Sequence, residues 1–453
     1  MKFGGKEIAR LEVERRGRRS SGFCERRGRR SSGLYERRGH RSSGFYERRG
    51  SRSSGFYERR GNRSSGFYER RGRRSSEDKR IEMKKVLHIQ LLPILSGVQR
   101  FSLHLLDGLD SNEFDVQVAC KPNGEFVDEI KARGYQYIPL PTFRHQICFG
   151  DIFTFFHLLY IIKKHRFDIV HTNASKPGFL GRLAARLGKV PLIIHTTHTF
   201  PFLEQQKPIT YKFFTTLERI GNRLGDYNIF VNNSDRLKSL KMGLIKPEKA
   251  ITIYNALPPT LATALQEIAQ NRKKPEQEII IGSTLRFCPQ KNVINLITAS
   301  CNACLQEQKL KFIYLGEGEY YELCKAIIHS YGLDERILLP GWDKNVLPWL
   351  KVFNVFVLYS RWEAMPFSII EAMHSGLPII VSDLPSLLEL VDSQTGYIVP
   401  LDNNAELAKT FIEIAQDFET AYRKGKEAAK KIAAICSYEK MVNAYRELYL
   451  SAK

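Results

Sequence analysis

The stretch Val355-Phe-Val-Leu-Tyr-Ser360, followed by Glu363-Ala-Met-Pro-Phe-Ser-Ile-Ile-Glu371, decides how this chain is read. Its first part is a short β-branched and aromatic run, the pattern of a buried strand. Its second part opens on a carboxylate and continues apolar after a proline. Pro366 suits the first turn of a helix, because its missing N–H has no partner there anyway. The pattern predicts a strand–loop–helix corner, with Glu363 in the loop and Glu371 about a turn and a half inside the helix. Open α/β sheets bind ligands at such corners. Two glutamates at this spacing mean little alone, and their neighbours give them weight.

Working outward, short apolar runs alternate with amphipathic stretches from Met83 onward. In the first half the strand candidates are residues 85–91, 114–120, 135–140, 167–171, 192–196 and 227–231. Helical patterns lie between most of them, as at 98–109 and 178–187. The pattern breaks near residues 255–274, at Pro258-Pro259 and the polar run from Asn271. It restarts with candidates at 279–283, 311–315, 337–339, 355–358, 378–381 and 397–399. Near-continuous apolar strands alternating with helices predict parallel sheets covered on both faces. The reading is thus two α/β domains, 83–256 and 278–453, joined by a linker over 257–277 and facing each other across a cleft suited to a ligand.

A chain of 453 residues has room for two to three domains, and 43% hydrophobic residues suffice for their cores. No run of 18 or more apolar residues predicts a membrane span, and the amino terminus has no apolar leader segment. The eight cysteines are scattered. Only Cys301 and Cys304 stand close together, without a second pair to complete a zinc site. Reduced thiols in a cytoplasmic protein are expected.

The net charge of +22 is unevenly divided. Residues 1–82 hold 26 Lys and Arg against 11 Asp and Glu, a net +15, which leaves +7 for the remainder. Within this arm an 11-residue unit, Arg15-Arg-Gly-Arg-Arg-Ser-Ser-Gly-Phe-Cys-Glu25, recurs from Arg26, Arg37, Arg48, Arg59 and Arg70. Such a unit is too polar and too rich in glycine and serine to bury a core, so a disordered arm is expected. Three origins compete for it. The first is a 33-nucleotide tandem repeat read through upstream of a start at Met83. The second is a tether to an anionic membrane surface. The third is an RNA-binding tail pairing arginine with phosphate and aromatics with bases.

The remaining motifs resemble those of the retaining glycosyltransferases of family 4, which have the GT-B fold of two Rossmann-like domains. In the first half the resemblance rests on Phe167-Asp-Ile-Val-His-Thr172, Ser175-Lys-Pro-Gly178, Gly181-Arg-Leu-Ala-Ala185 and Ile194-His-Thr-Thr-His-Thr-Phe200. In the second it rests on Arg286 and Lys291, Leu315-Gly-Glu-Gly318, Leu339-Pro-Gly-Trp342, and Glu363 to Glu371 with Gly376-Leu-Pro378. It covers nearly all of 83–453 and none of the repeats.

The resemblance implies transfer of a sugar from a UDP- or GDP-linked donor to a saccharide or lipid-linked acceptor, with retention. The pathway implied is cell-surface polysaccharide or lipopolysaccharide synthesis. No metal is expected, since no Asp-x-Asp motif stands at a strand end. Arg286 and Lys291 would instead stabilise the departing diphosphate. Glu371 would hold the ribose hydroxyls, Glu363 would face the donor sugar, and His198 would line the sugar site. Gly97, Phe367 and Ser368 would complete the donor contacts, Gly97 by letting backbone N–H groups approach a phosphate. Ser96, Thr199 and Ala364 depart from glycines usual at those places.

The acceptor side is less legible. Residues 153–164 form an aromatic-rich helix candidate ending in Lys163 and Lys164. It could rest on a bilayer, holding the protein at the inner face of the cell membrane. Equally, it could pack on the sheet, being apolar on nearly every face. Two other functions stay in view: another GT-B enzyme such as a nucleotide-sugar epimerase, and an RNA-binding protein led by the arginine arm. Nucleic acid ranks last among the expected partners.

Overall fold

The computed structural model describes residues 83–144, 147–200 and 206–452. The repeat arm, with the disorder expected of it, lies outside the described residues.

Seven strands form the first sheet: β1 Lys84–Ile89, β2 Phe114–Cys120, β3 Gln136–Pro139, β4 Ile169–Asn173, β5 Leu192–Thr197, β6 Tyr227–Phe230 and β7 Ala250–Thr252. Six form the second: β8 Ile279–Thr284, β9 Leu310–Leu315, β10 Ile337–Gly341, β11 Val355–Leu358, β12 Ile379–Ser382 and β13 Gly396–Val399. The spatial orders are β3-β2-β1-β4-β5-β6-β7 and β10-β9-β8-β11-β12-β13, with every pairing parallel. Each sheet reverses its order once, between β1 and β4 and between β8 and β11. The crevices that bind ligands open at these points, beyond the carboxyl ends of the strands.

Burial on both sheet faces explains the near-continuous apolar strands. Val86 packs with Phe101 and Leu105 on one side of β1, whereas Leu87 and Ile89 pack with Leu158, Ile161 and Ala184 on the other. The second sheet is covered likewise by the helices Val293–Gln306 and Asn404–Gln416 on one face and Phe367–His374 on the other.

Three features differ from the sequence reading. Strand β7 was not foreseen; it is three residues long at a sheet edge. The segment read as linker contains a helix, Pro259–Gln270, that buries Leu265 in the same core as Leu377 and Ile432. Prolines at its start are compatible with helix there, so Pro258-Pro259 begins an element where a break was read. The final helix, Tyr438–Leu450, leaves the second sheet and packs on the first. Its Tyr449 and Tyr445 hydroxyls bond His171 at 2.6 Å and Thr196 at 3.1 Å, and its Arg446 pairs with Glu113. The described cysteines form no disulfide. No helix among the described residues is long and apolar enough to cross a membrane.

Candidate active site

The second-half residues come together through two loops. After β8 the chain passes Arg286 and turns at Pro289–Lys291. Leu285 N donates to Leu315 O (2.9 Å) and Phe287 N to Glu317 O (2.9 Å), so the loop rides on the Gly316-Glu-Gly318 segment. Gly316 has φ +137°, and a Cβ there would stand 1.8 Å from Leu285 O. The glycine motif thus sets how closely the loop bearing Arg286 is held. The neighbouring loop after β11 is stitched on by Arg361 N to Gln290 O (2.8 Å) and Gln290 Nε2 to Trp362 O (3.0 Å).

These contacts set Lys291 against Glu363 as a largely buried ion pair. The Arg286 side chain is exposed and makes no hydrogen bond or ion pair with another described side chain, while its carbonyl accepts from Cys288 N at 2.8 Å. Pro366 falls at the N-cap of the helix Phe367–His374, one position before the first turn expected for it. Glu371 is the fifth residue of that helix and only 2% exposed.

An uncompensated carboxylate so deep would be costly, and its partner is one that the sequence reading missed. Arg100, on the helix Gly97–Gly108 of the first half, reaches over and pairs with Glu371. Its guanidinium lies 5.3 Å from the Phe367 ring centroid. Phe367 is itself buried, edge-on to His104 at 5.0 Å, and Ser368 is half-buried beside it. Nothing in the sequence around Arg100 marks it, because its meaning depends on a residue 271 positions away.

In the first half Gly97 is the first residue of its helix, with nothing within 4 Å of where a Cβ would sit. That open helix end faces the crevice after β1. His198 follows β5, and its Nε2 meets Asn173 Oδ1 at 3.1 Å. An amide oxygen only accepts, so Nε2 carries the proton and Nδ1 keeps its lone pair. The amide nitrogen of Asn173 donates to His88 Nε2 at 3.0 Å, and Ser102 Oγ lies 2.8 Å from the same ring nitrogen. Burial, with a smaller contribution from His88, pushes the His198 pKa down to about 3. The ring is therefore a neutral group. Phe101, next to Arg100, meets it edge-on at 4.8 Å.

His195 has a different place. It is buried, bonds Thr172 Oγ1 at 2.9 Å and packs against Gly178, whose missing Cβ would come 2.4 Å from its ring. It is a core histidine, as its strand position suggested. Asn173 and His88 are the other residues that sequence reasoning passed over, although Asn173 directly follows the Phe167–Thr172 stretch. Among the described residues no group of three His, Cys, Asp or Glu side chains stands together as a metal cage.

Cations, acids and a neutral histidine thus gather at the carboxyl ends of two facing parallel sheets. The family model described as "Glycosyltransferase Family 4" matches residues 95–261, and "Glycosyl transferases group 1" matches 265–431. The chain is 30% identical over 381 residues to the UDP-Gal:alpha-D-GlcNAc-diphosphoundecaprenol alpha-1,3-galactosyltransferase of Escherichia coli, covering 81% of this chain and 96% of that protein. It is 24% identical over 312 residues to the capsular polysaccharide biosynthesis glycosyltransferase CapH of Staphylococcus aureus, covering 67% and 82%. Anabaena HepE, solved with UDP and glucose, superposes with a TM-score of 0.68 at 16% identity, over 80% of this chain and 98% of that one. By these matches the chain belongs to the family 4 glycosyltransferases and has their two-sheet GT-B fold.

Proposed function

We propose that this glycosyltransferase moves a hexose from a UDP-sugar onto a saccharide carried by a polyprenyl diphosphate, with retention and without a metal ion. The observation that carries the reading is the match over 96% of a transferase whose name gives a UDP-linked donor and a diphosphoundecaprenol-linked acceptor. Such an acceptor places the work at the inner face of the cell membrane.

The roles follow from the chemistry of each group. Glu371 can accept two hydrogen bonds from the ribose diol once Arg100 gives way. The open helix end at Gly97 offers backbone N–H groups to a phosphate. Arg286 and Lys291 share one clamped loop, where fixed cations stabilise charge that grows on the β-phosphate as the glycosidic bond breaks. Glu363, against Lys291, faces the donor sugar. With retention, the acceptor hydroxyl attacks from the face that the diphosphate leaves. The neutral ring of His198 presents an acceptor nitrogen to a sugar hydroxyl, and Phe367 and Ser368 border the nucleotide.

The test is transfer of radiolabelled galactose, glucose or N-acetylglucosamine from UDP or GDP donors onto a synthetic polyprenyl-diphosphate GlcNAc, with the product anomer assigned by NMR. Transfer from a UDP donor with retention, undiminished by EDTA, is expected. An inverted product, a GDP requirement, or loss of activity restored by magnesium would each overturn the corresponding part of the reading.

A further inference from the structure

The helix Gly150–His165 is apolar on two faces. Thr154, Leu158, Ile161 and Ile162 are buried toward the sheet. The outer face carries Ile152, Phe153, Phe156 and Tyr160, all exposed, and the segment leading into it adds Ile147 and Phe149. Phe153 is 68% exposed and Phe149 88%. Scattered apolar residues are ordinary on a surface, but a row of this kind on one helix face marks an interaction site. The two fates read from the sequence, sheet packing and surface contact, belong to opposite faces of one helix.

A second helix adds apolar residues on the same side of the sheet. Helices Gly150–His165, Ser175–Leu187 and Pro208–Leu224 pack in sequence, and right-handed crossovers put them on one face of the first sheet. Pro208–Leu224 exposes Ile209, at 81%, and Phe213.

Charge says what covers this face. The two outer helices contain one acid each, and both are consumed inward: Asp151 pairs with Lys176 at 2.5 Å, and Glu218 with buried Arg182 at 3.5 Å. Their cations Lys163, Lys164, Lys212 and Arg223 are exposed, and Lys164 Nζ lies 5.6 Å from the Tyr160 ring centroid. An acid-free surface of aromatics flanked by lysines fits the interface of an anionic bilayer.

Position ties the patch to the sugar site. In a parallel sheet the crossover helix starts at the carboxyl edge of the strands, so the aromatic end of the helix lies toward the cleft and its lysine end away. Asp151 in the first turn is bonded to Lys176, three residues beyond the Asn173 that holds His198. We infer that the exposed face of Gly150–His165, with Ile209 and Phe213, inserts its aromatic side chains into an anionic lipid surface and so holds the cleft beside a membrane-embedded acceptor. The inference rests on the lipid-linked acceptor proposed above.

The experiment uses the full chain and vesicles of phosphatidylethanolamine and phosphatidylglycerol, sedimented at about 1 M salt, where the Debye length is about 3 Å and purely electrostatic adhesion by the arginine arm is screened. Wild type is expected to remain on the vesicles. The double variant Phe153→Asp with Phe156→Asp is expected to bind at least about tenfold more weakly, because two charges replace inserted rings. Equal binding by the variant, or release of wild type by salt, would overturn the inference. Phe156→Trp, at an exposed position, is expected to shift its emission to the blue on adding vesicles, and an unshifted spectrum would overturn it too. Transfer to GlcNAc diphosphate on a short water-soluble chain should be unchanged in the double variant, whereas transfer to acceptor in vesicles should fall about tenfold. Equal losses with both acceptors would show that these residues serve the catalytic fold instead. If wild type ignores the soluble acceptor yet stays on vesicles through Phe153 and Phe156, the acceptor assignment fails and the membrane face stands.

Discussion

Arg100 of the first half and Glu371 of the second form an ion pair across the cleft, and the acid is the more deeply buried partner. The buried carboxylate is thus neutralised from the opposite half of the chain. Removing the cation leaves a buried charge without a partner. Arg100→Ala is expected to destabilise the fold by about 1–3 kcal/mol, a value below that for fully buried pairs because the arginine is partly solvated. Glu371→Gln in the same background should restore most of the loss. A double-mutant cycle by urea denaturation measures the coupling, and additive effects would remove the pair from the account.

The two acids are expected to separate in calorimetry with free UDP. Glu371→Gln should weaken UDP binding by about 1.5–3 kcal/mol, the worth of a charge-assisted hydrogen bond. Glu363→Gln should lower kcat while leaving UDP affinity nearly intact. Equal losses of affinity would show the roles to be misassigned.

For the cations, Arg286→Ala should lower kcat/KM by roughly 10²–10³, as for loss of one fixed charge-stabilising group. Its stability should be unchanged, because the side chain is exposed and unpaired among the described residues. An unaltered rate would remove it from the diphosphate site.

Acid should weaken the fold early. His88, His104 and His198 are held down to about 3, and His374 to about 4, each chiefly by burial. Unfolded histidine titrates near 6.5, so between that value and about 4 the unfolded chain binds protons that the native state refuses. Stability is therefore complete above about 6.5 and is lost as pH falls, by about 1.4 kcal/mol per pH unit for each such histidine. Urea midpoints between about pH 7.5 and 5 measure the slope. His198→Gln should reduce it by one histidine's share, and an unchanged slope would contradict the buried neutral ring.

Two glycines should behave oppositely. Gly97→Ala meets open space, so folding should be unaffected, whereas UDP affinity should fall if backbone amides approach the phosphate there. Gly316→Ala meets the Leu285 carbonyl at a positive φ and should cost about 1–3 kcal/mol of stability. Thermal melts with and without UDP distinguish the two.

Most strands were legible because a parallel sheet buried on both faces leaves little room for polar residues. Val355–Leu358 coincides with its apolar run, and Phe114–Cys120 with the candidate read there. Strand β7 was not, since three residues at an edge carry no periodicity. Among the candidate site residues, Glu363, Glu371, Arg286 and Lys291 lie close in sequence to legible strand ends, and the family resemblance, more than their spacing, singled them out. Arg100 could not be found in this way, because no local pattern encodes a contact between domains. The same limit hid the fate of Tyr438–Leu450, whose amphipathic pattern says that it packs but not on which sheet.

That helix imposes an order on synthesis. His171 of the fourth strand obtains its phenol partner from Tyr449, 278 residues later. At about 5–20 residues per second the ribosome needs roughly 10–40 s to pass from β7 to the final helix. Throughout that interval the amino-terminal half is translated but lacks a piece of its own core. The first half can complete its packing only once the last helix has emerged, and a nascent chain stalled late in translation would leave that face of the first sheet uncovered.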